Sequence, residues 1–218
     1  MYFIAFEGLD GSGKSSLIQQ LEGLLQSHKI HFVTTREPGG TPLGDKIRDL
    51  ILEKSSQAPG ARAELLLYEA SRAQHVEHLI RPALKNNHWV LTDRFSASSL
   101  AFQGTARGLD WKIVDQLNQF ATDGLEPHLN VLLDLSVEES ESRRKKRQTQ
   151  SGVQADRIES EKQDFHQRVR DGFLKAANLN PHRWLILDAS QNPQKLFEIL
   201  KKSLTQKGWI PADSGTQA

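Results

Sequence analysis

Eight consecutive residues, Gly8-Leu9-Asp10-Gly11-Ser12-Gly13-Lys14-Ser15, constrain this chain more than any other stretch. They fit the pattern G-x-x-x-x-G-K-S. They directly follow an apolar segment (residues 2–7) and open a segment with Leu17, Ile18, Leu21, Leu24 and Leu25 at helical spacing. Strand, glycine-rich turn and helix in that order make a Walker A loop. Its glycines let backbone N–H groups converge on anionic oxygens without Cβ clashes, and the helix N-terminus adds partial positive charge. In such a loop Lys14 reaches the β- and γ-phosphates, and the Ser15 hydroxyl can ligate Mg²⁺. The alternative is a glycine-rich turn without function. Chance produces this pattern in roughly one chain in a hundred of this length, and the strand and helix around it reduce that further. Residues 8–16, Ser16 included, are expected to bind a nucleoside triphosphate.

Four more short apolar segments follow, at 31–35, 88–92, 130–135 and 184–187. Four of the resulting five are near-continuous apolar runs, as in parallel strands covered on both faces. Helical spacing recurs between them, in Ile47, Leu50 and Ile51 and in Ile113, Leu117 and Phe120. This alternation predicts an α/β fold: a doubly wound, five-stranded parallel sheet flanked by helices, with right-handed crossovers. With 218 residues, one domain over 1–208 is expected, followed by a flexible tail at 209–218 carrying Pro, Ser and Gly. Ligands of such sheets sit at the carboxyl ends of the strands.

The residues just after the runs therefore matter most. Arg36-Glu37-Pro38-Gly39-Gly40 follows the second run. It reads as a turn, with Arg36 and Glu37 expected to point into the cleft. Asp93 and Arg94 end the third run, and an acid there, beside a Walker A loop, is placed to orient Mg²⁺. Tyr68 and Arg72 lie four apart in a helical stretch at 64–80, so an aromatic plane and a guanidinium project from one face. Such pairs often only pack. His75 and His78 are expected on a wet helix face, because the eight histidines show no metal-like clustering.

Residues 138–171 break the pattern with a mostly charged or polar stretch containing Arg143-Arg144-Lys145-Lys146-Arg147. Three readings are open: a solvated helix, a nucleic-acid patch, or a lid bringing cations to phosphate. No aromatic side chains are interleaved to stack bases. The 28 Lys+Arg against 27 Asp+Glu leave a net charge of +1, unlike a general nucleic-acid binder. Cysteine is absent, which excludes thiolate chemistry and Cys-ligated zinc. The longest apolar run, residues 1–6, is far short of the ~20 needed to span a bilayer. It has no signal-peptide flanks, so a cytoplasmic protein without membrane attachment is expected.

Asp10, Thr35-Arg36-Glu37-Pro38-Gly39-Gly40, Tyr68-x-x-x-Arg72, Asp93-Arg94-Phe95, residues 98–104 and Asp156-Arg157-Ile158-Glu159 occur in the order and spacing of bacterial thymidylate kinases. The chain resembles that P-loop nucleoside monophosphate kinase family from about Tyr2 to Trp209. The resemblance implies phosphorylation of dTMP to dTDP with ATP and Mg²⁺, a step in dTTP synthesis, by a homodimer. Position by position it implies that Asp10 bonds the sugar 3′-hydroxyl and Arg48 approaches the nucleotide. Tyr68 would stack on thymine, with Arg72 donating to its carbonyl oxygen. Asp93 would help order Mg²⁺, and Arg94 would clamp phosphate. Ser99 and Gln103 resemble base-pocket residues, and Phe102 packs where a 2′-hydroxyl would sit. A short Arg-rich lid at about 141–160 would close on ATP with Arg143, Arg147 and Arg157. Asp188-Ala189-Ser190 resembles the adenine-side wall.

The chain departs from the family pattern in places. Tyr68 replaces the usual Phe, Phe95 stands where Tyr or His is common, and Phe102 where Tyr is common. Some family members place an Arg inside the phosphate loop. Here Gly11 and Ser12 occupy that stretch, so the cation is expected from the lid. A nucleotide-switch GTPase is the rival from another class, but the Asn/Thr-Lys-x-Asp guanine motif is missing, as is the Ser-Gly-Gly-Gln signature of ABC-type ATPases. Within the class, a kinase for another monophosphate or a deoxynucleoside is the rival. A nucleic-acid-binding module built on the basic run is the remaining one.

Overall fold

The computed structural model describes residues 1–152 and 154–212. Five strands form one all-parallel sheet: β1 (Phe3–Glu7), β2 (Phe32–Arg36), β3 (Trp89–Asp93), β4 (Leu129–Asp134) and β5 (Trp184–Asp188), in the order β2-β3-β1-β4-β5. All five coincide with the apolar segments of the sequence to within a residue or two. The central strand β1 is wholly buried, and the edge strands β2 and β5 are half-covered, as the two-faced burial of a parallel sheet requires.

The crossovers are helical. They are α1 (Lys14–Ser27), α2 (Pro42–Leu52), α3 (Ala61–His75), α4 (Arg81–Lys85), α5 (Ser96–Ser99), α6 (Trp111–Thr122), α7 (Val137–Ser151), α8 (Gln163–Leu179) and α9 (Pro193–Gln206). Wide π-type turns at Val76–Ile80 and Leu100–Ala106 continue α3 and α5. Caps fix where several helices begin. The Thr41 hydroxyl accepts from Gly44 N with Pro42 at the first position of α2, and Ser136 accepts from Glu139 N at the start of α7. One face of the sheet packs Ile4, Phe6, Leu91, Val131 and Leu133 against Leu17, Leu21 and Leu25 of α1 and Leu196, Leu200 and Leu204 of α9. The other face packs under the Leu100–Ala106 turn, α8 and the Val76–Ile80 turn.

Three expectations change. The apolar stripe of α6 faces outward: Ile113 is exposed and Phe120 is 86 % exposed, while Val114, Asn118 and Ala121 turn inward. Leu50 of α2 is exposed in the same way. The tail expected from residue 209 is anchored at its start, because the Trp209 ring stacks on Tyr2 at 3.9 Å and Ile210 is buried in the core. Residues 213–218 lie outside the described residues.

Among the helical glycines, the closest approach to a neighbouring element is at Gly172 of α8. A Cβ there would stand 2.8 Å from Ala101 Cα and 2.8 Å from Thr105 Oγ1, so only a bare glycine lets α8 hold the Leu100–Ala106 turn in place. Gly172→Ala should therefore lower stability by about 1–3 kcal/mol through overpacking, although Ala is the better helix former by about 1 kcal/mol. Urea unfolding tests this, and an unchanged or raised midpoint would contradict the close approach.

Candidate active site

The phosphate loop leaves the carboxyl end of β1 with Gly8, Gly11 and Gly13 all at positive φ. A Cβ on Gly8 would lie 2.4 Å from the Leu133 carbonyl oxygen, so the loop lies directly against β4. Lys14 opens α1 with its ammonium buried. Its Nζ is 3.4 Å from Gly8 O, 3.3 Å from Leu9 O, 3.9 Å from Asp10 Oδ1 and 3.7 Å from Asp93 Oδ1. Parallel pairing of Phe6 with Asp93 brings the end of β3 alongside. There Arg94 takes a φ of +73°, a strained value for a non-glycine residue, and its Nη2 donates to Asp10 Oδ1 at 2.9 Å. The Arg94 guanidinium sits 5.0 Å from the Phe102 ring centroid.

Glu7 underpins this turn. Fully buried at the end of β1, it accepts from Phe95 N at 2.9 Å and from the Ser98 hydroxyl at 2.7 Å. Burial pushes its carboxyl up to about 7, against the opposing pull of Arg94, the two hydrogen bonds and Lys14. For Asp10 burial is outweighed by Arg94 and Lys14, which hold its carboxyl well below the ordinary range. Arg94 stays firmly charged, because Asp10, Asp93 and Glu7 together exceed the cost of its burial.

Two clefts flank the phosphate loop. Asp10, Glu37, Arg48, Tyr68, Arg94, Phe102 and Gln103 line the first, joined by Ser98, Asp156 and Ile158. The second is a cavity of about 290 Å³ on the other side of the phosphate loop, lined among others by Gly11, Ser12, Gly13, Ser16, Arg143 and Ala189. Arg143 Nη2 there donates to Ala189 O at 3.0 Å. Ser15 is exposed in the first turn of α1.

Several residues sit elsewhere than the sequence suggests. Arg72 is 1 % exposed and lies behind the first cleft rather than on its wall. Its Nε donates to Glu37, its Nη1 to Glu69, Ser99 and Asn118, and its Nη2 to the Phe95 carbonyl. Ser99 is buried with it, donating to Glu69. His75 is fully buried, bridging Glu37 at 2.9 Å and Thr35 at 2.8 Å, instead of facing water as His78 does. Arg36 points out of the cleft and is largely exposed, 3.8 Å from Asp45. Arg157 is turned to the acceptor side, donating to Ile51 O and to Glu64, and so sits away from the phosphate loop. Arg147 is exposed and held by Glu159.

The charged stretch is less solvated than its composition suggests. Ser140, almost wholly buried, donates its hydroxyl to Asp10 O at 2.7 Å. Arg144 is 6 % exposed and donates to Glu159 O at 2.6 Å. A Cβ on Gly11 would lie 3.1 Å from Ser140 O and 3.3 Å from Arg143 Cβ. The first two turns of α7 are therefore seated on the phosphate loop. Sequence reading missed Ser140 and Arg144; their i, i+4 spacing on the one helix face that touches the loop was the available signal.

A parallel sheet carrying a lysine-bearing phosphate loop at its carboxyl edge, with one cleft along Asp10 and Arg94 and a second along Gly11, Ser12 and Gly13, defines a P-loop kinase. The family model for thymidylate kinase matches residues 6–199. A thymidylate kinase from Bdellovibrio bacteriovorus is 56 % identical over 207 residues, covering 95 % of this chain and 97 % of that one. One from Parasynechococcus marenigrum is 46 % identical over 211 residues, covering 94 % and 97 %. The crystal structure of thymidylate kinase from Ehrlichia chaffeensis superposes with a TM-score of 0.73 at 32 % identity, covering 93 % of this chain and 98 % of that one. The chain belongs to the thymidylate kinase family, whose reaction is phosphoryl transfer from ATP to dTMP.

Two outcomes follow from the buried charges. Because folding raises the Glu7 carboxyl from 4.5 to about 7, the folded state binds this proton more tightly than the unfolded chain. Its contribution is complete below about pH 4.5 and is lost as pH rises towards 7. Relative to Glu7→Gln, the wild type should lose about 3 kcal/mol across that window, as measured by chemical unfolding at stepped pH. A constant difference would contradict a buried, titrating Glu7. Arg72→Ala should cost about 3–5 kcal/mol, since it leaves Glu37 and Glu69 buried without their shared cation. A wild-type unfolding midpoint would show instead that Arg72 is dispensable to the scaffold.

Proposed function

We propose that this chain carries out that transfer with Lys14, Arg94 and the arginines of α7 as its phosphate-handling cations, with dTMP in the cleft lined by Tyr68 and Phe102 and ATP along the cavity lined by Ser16 and Ala189. The observation that carries the reading is the cluster of Lys14, Arg94 and Asp10 at the phosphate loop, with Asp10 and Arg94 lining one cleft and Gly11, Ser12 and Gly13 lining the other. The acceptor oxygen of a monophosphate is already anionic at neutral pH, so the barrier lies in crowding and misalignment of two anions. Fixed cations lower that barrier without a general base. Lys14 would leave its loop carbonyls for the phosphates, and Arg94 would hold the acceptor phosphate from its strained turn. Arg143 would supply the side-chain cation that Gly11 and Ser12 do not. Arg147 would join it once released from Glu159.

Asp10, kept ionised by Arg94 and Lys14, suits an acceptor for the sugar 3′-hydroxyl. Tyr68 offers a stacking plane, and Gln103 a carboxamide at the base. Arg72 and Ser99 would act from behind the wall by fixing Glu37 and Phe95. Asp93 and Ser15 fit Mg²⁺. Asp93 Oδ1 is buried without a hydrogen-bond donor, and both residues offer hard oxygen at the loop. Bound there, the ion would neutralise charge on the transferred phosphates. Among the described residues no helix is long and apolar enough to cross a membrane, and we place the enzyme in the cytoplasm. We also infer a homodimer, formed by the outward faces of α2, α3 and α6, where Leu50, Leu66, Ile113 and Phe120 are exposed.

ADP release measured with a panel of dTMP, dUMP, dCMP, dGMP and UMP tests this reading. The highest kcat/KM is expected for dTMP. Lys14→Ala should abolish turnover by roughly two orders of magnitude or more while leaving the fold intact. Preference for another monophosphate would overturn the acceptor assignment. Near-normal turnover of a folded Lys14→Ala variant would overturn the role of the loop.

A further inference from the structure

A cavity of about 320 Å³, sharing no lining residue with either nucleotide cleft, opens between α5, α6 and α8 on one face of the sheet, and its volume is that of a small-molecule site. Its lining includes Asn130, the second residue of β4, where the neighbouring Leu129, Val131, Leu132 and Leu133 are all buried apolar residues. An apolar side chain is the expectation at such a position. Asn130 is only 8 % exposed, yet among the described residues its carboxamide has no hydrogen-bond partner, and it lines the cavity. The neighbouring carboxamide of Asn118 is in use, accepting from Arg72 at 2.6 Å and donating to Ser96 O at 3.2 Å. Neither polar atom of Asn130 is sealed from solvent, so its carboxamide opens to the cavity, and an occupant that covered it without pairing would lose about 1–3 kcal/mol.

The walls set the shape of a partner. Trp111 and Trp184 supply flat apolar surface, and the Trp111 N–H is already taken by Thr105 at 3.0 Å. The charged lining residues are Asp115, Glu126 and Arg183, and Arg183 is paired with Glu126. One negative charge is left over, which disfavours phosphate. The exposed apolar stripe of Ile113 and Phe120 lies on the opposite side of α6 from Trp111, Asp115 and Asn118, so the mouth is not part of the inferred dimer face.

We propose that this cavity is a second binding site, separate from the nucleotide clefts, for an uncharged planar heterocycle with a lactam edge, whose adjacent N–H and C=O pair with the Asn130 carboxamide. A carboxamide presents a donor and an acceptor side by side, the complement of such an edge. The absence of a cation to spare separates this ligand class from a nucleotide.

The probe is 2-quinolinone, a bicyclic lactam, titrated calorimetrically into the full chain with dTMP and a non-hydrolysable ATP analogue both saturating. One saturable site per chain is expected. N-methyl-2-quinolinone, which lacks the N–H, should bind about tenfold or more weakly, the loss of one buried hydrogen bond. Asn130→Leu should weaken 2-quinolinone by a similar factor while kcat for dTMP stays at the wild-type value. If Asn130→Leu fails to fold, Asp115→Trp at the exposed rim blocks the mouth and should have the same effect on binding. The proposal is overturned by no saturable binding up to the solubility limit, by competition with either nucleotide, by equal affinity for the N-methyl compound, or by unchanged affinity in the folded variant.

Discussion

The ion pair between Asp10 and Arg94 is the contact on which the rest of the site depends. It ties the phosphate loop after β1 to the turn after β3, and it does so between partly buried groups where an unpaired charge would be expensive. Arg94 reaches Asp10 only because its backbone is held at positive φ, and that conformation is fastened from below by Glu7 on the adjacent strand. The parallel register of Phe6 with Asp93 supplies the proximity. Two loops distant in sequence thus share one electrostatic arrangement, with Lys14 and Asp93 as its other members.

A second consequence concerns α7. A side chain at residue 11 would meet the backbone of Ser140, so the absence of a cation in the phosphate loop and the close seating of α7 are two sides of one steric fact. The helix that takes up this space also places Arg143 beside Ala189 in the donor-side cavity. On the proposed reading the charge missing from the loop is replaced by charge from the helix that its small residues admit. Behind the acceptor cleft, Arg72 joins Glu37 of the β2 turn, Glu69 of α3, Ser99 of α5 and Asn118 of α6, so the wall is one hydrogen-bonded unit.

The strands and the phosphate loop were legible in the sequence because their signals are local: apolar runs mark parallel strands covered on both faces, and glycine spacing marks the loop. On the acceptor side, Glu37 and Arg94 were legible from their places at strand ends and Tyr68 from its helical spacing, whereas Arg48, Phe102 and Gln103 were legible only by resemblance, since nothing in their spacing says that they meet. What was illegible depends on tertiary context. The stripe of Ile113, Leu117 and Phe120 has the period of a core face, and the period does not tell which side of a helix meets the sheet. Arg144 and Ser140 look solvated within a charged run, yet Ser140 is bonded to the phosphate loop at Asp10 O and Arg144 is held by Glu159 O and beside His166. His75 has the spacing of a wet helix face, and only the fold brings Glu37 and Thr35 around it. Asn130 sits unremarked in an apolar run, although it is the one polar side chain there without a partner.

The central claim, that α7 delivers the cation that the phosphate loop lacks, is tested most directly by the single-turnover rate of γ-phosphoryl transfer from ATP to dTMP in Arg143→Gln, with both nucleotides saturating. The account predicts a fall of about 10³-fold, by analogy with arginines supplied to phosphoryl transfer from outside the loop, with an unchanged unfolding midpoint. A rate within a few-fold of wild type would contradict it and return α7 to the role of a charged surface helix.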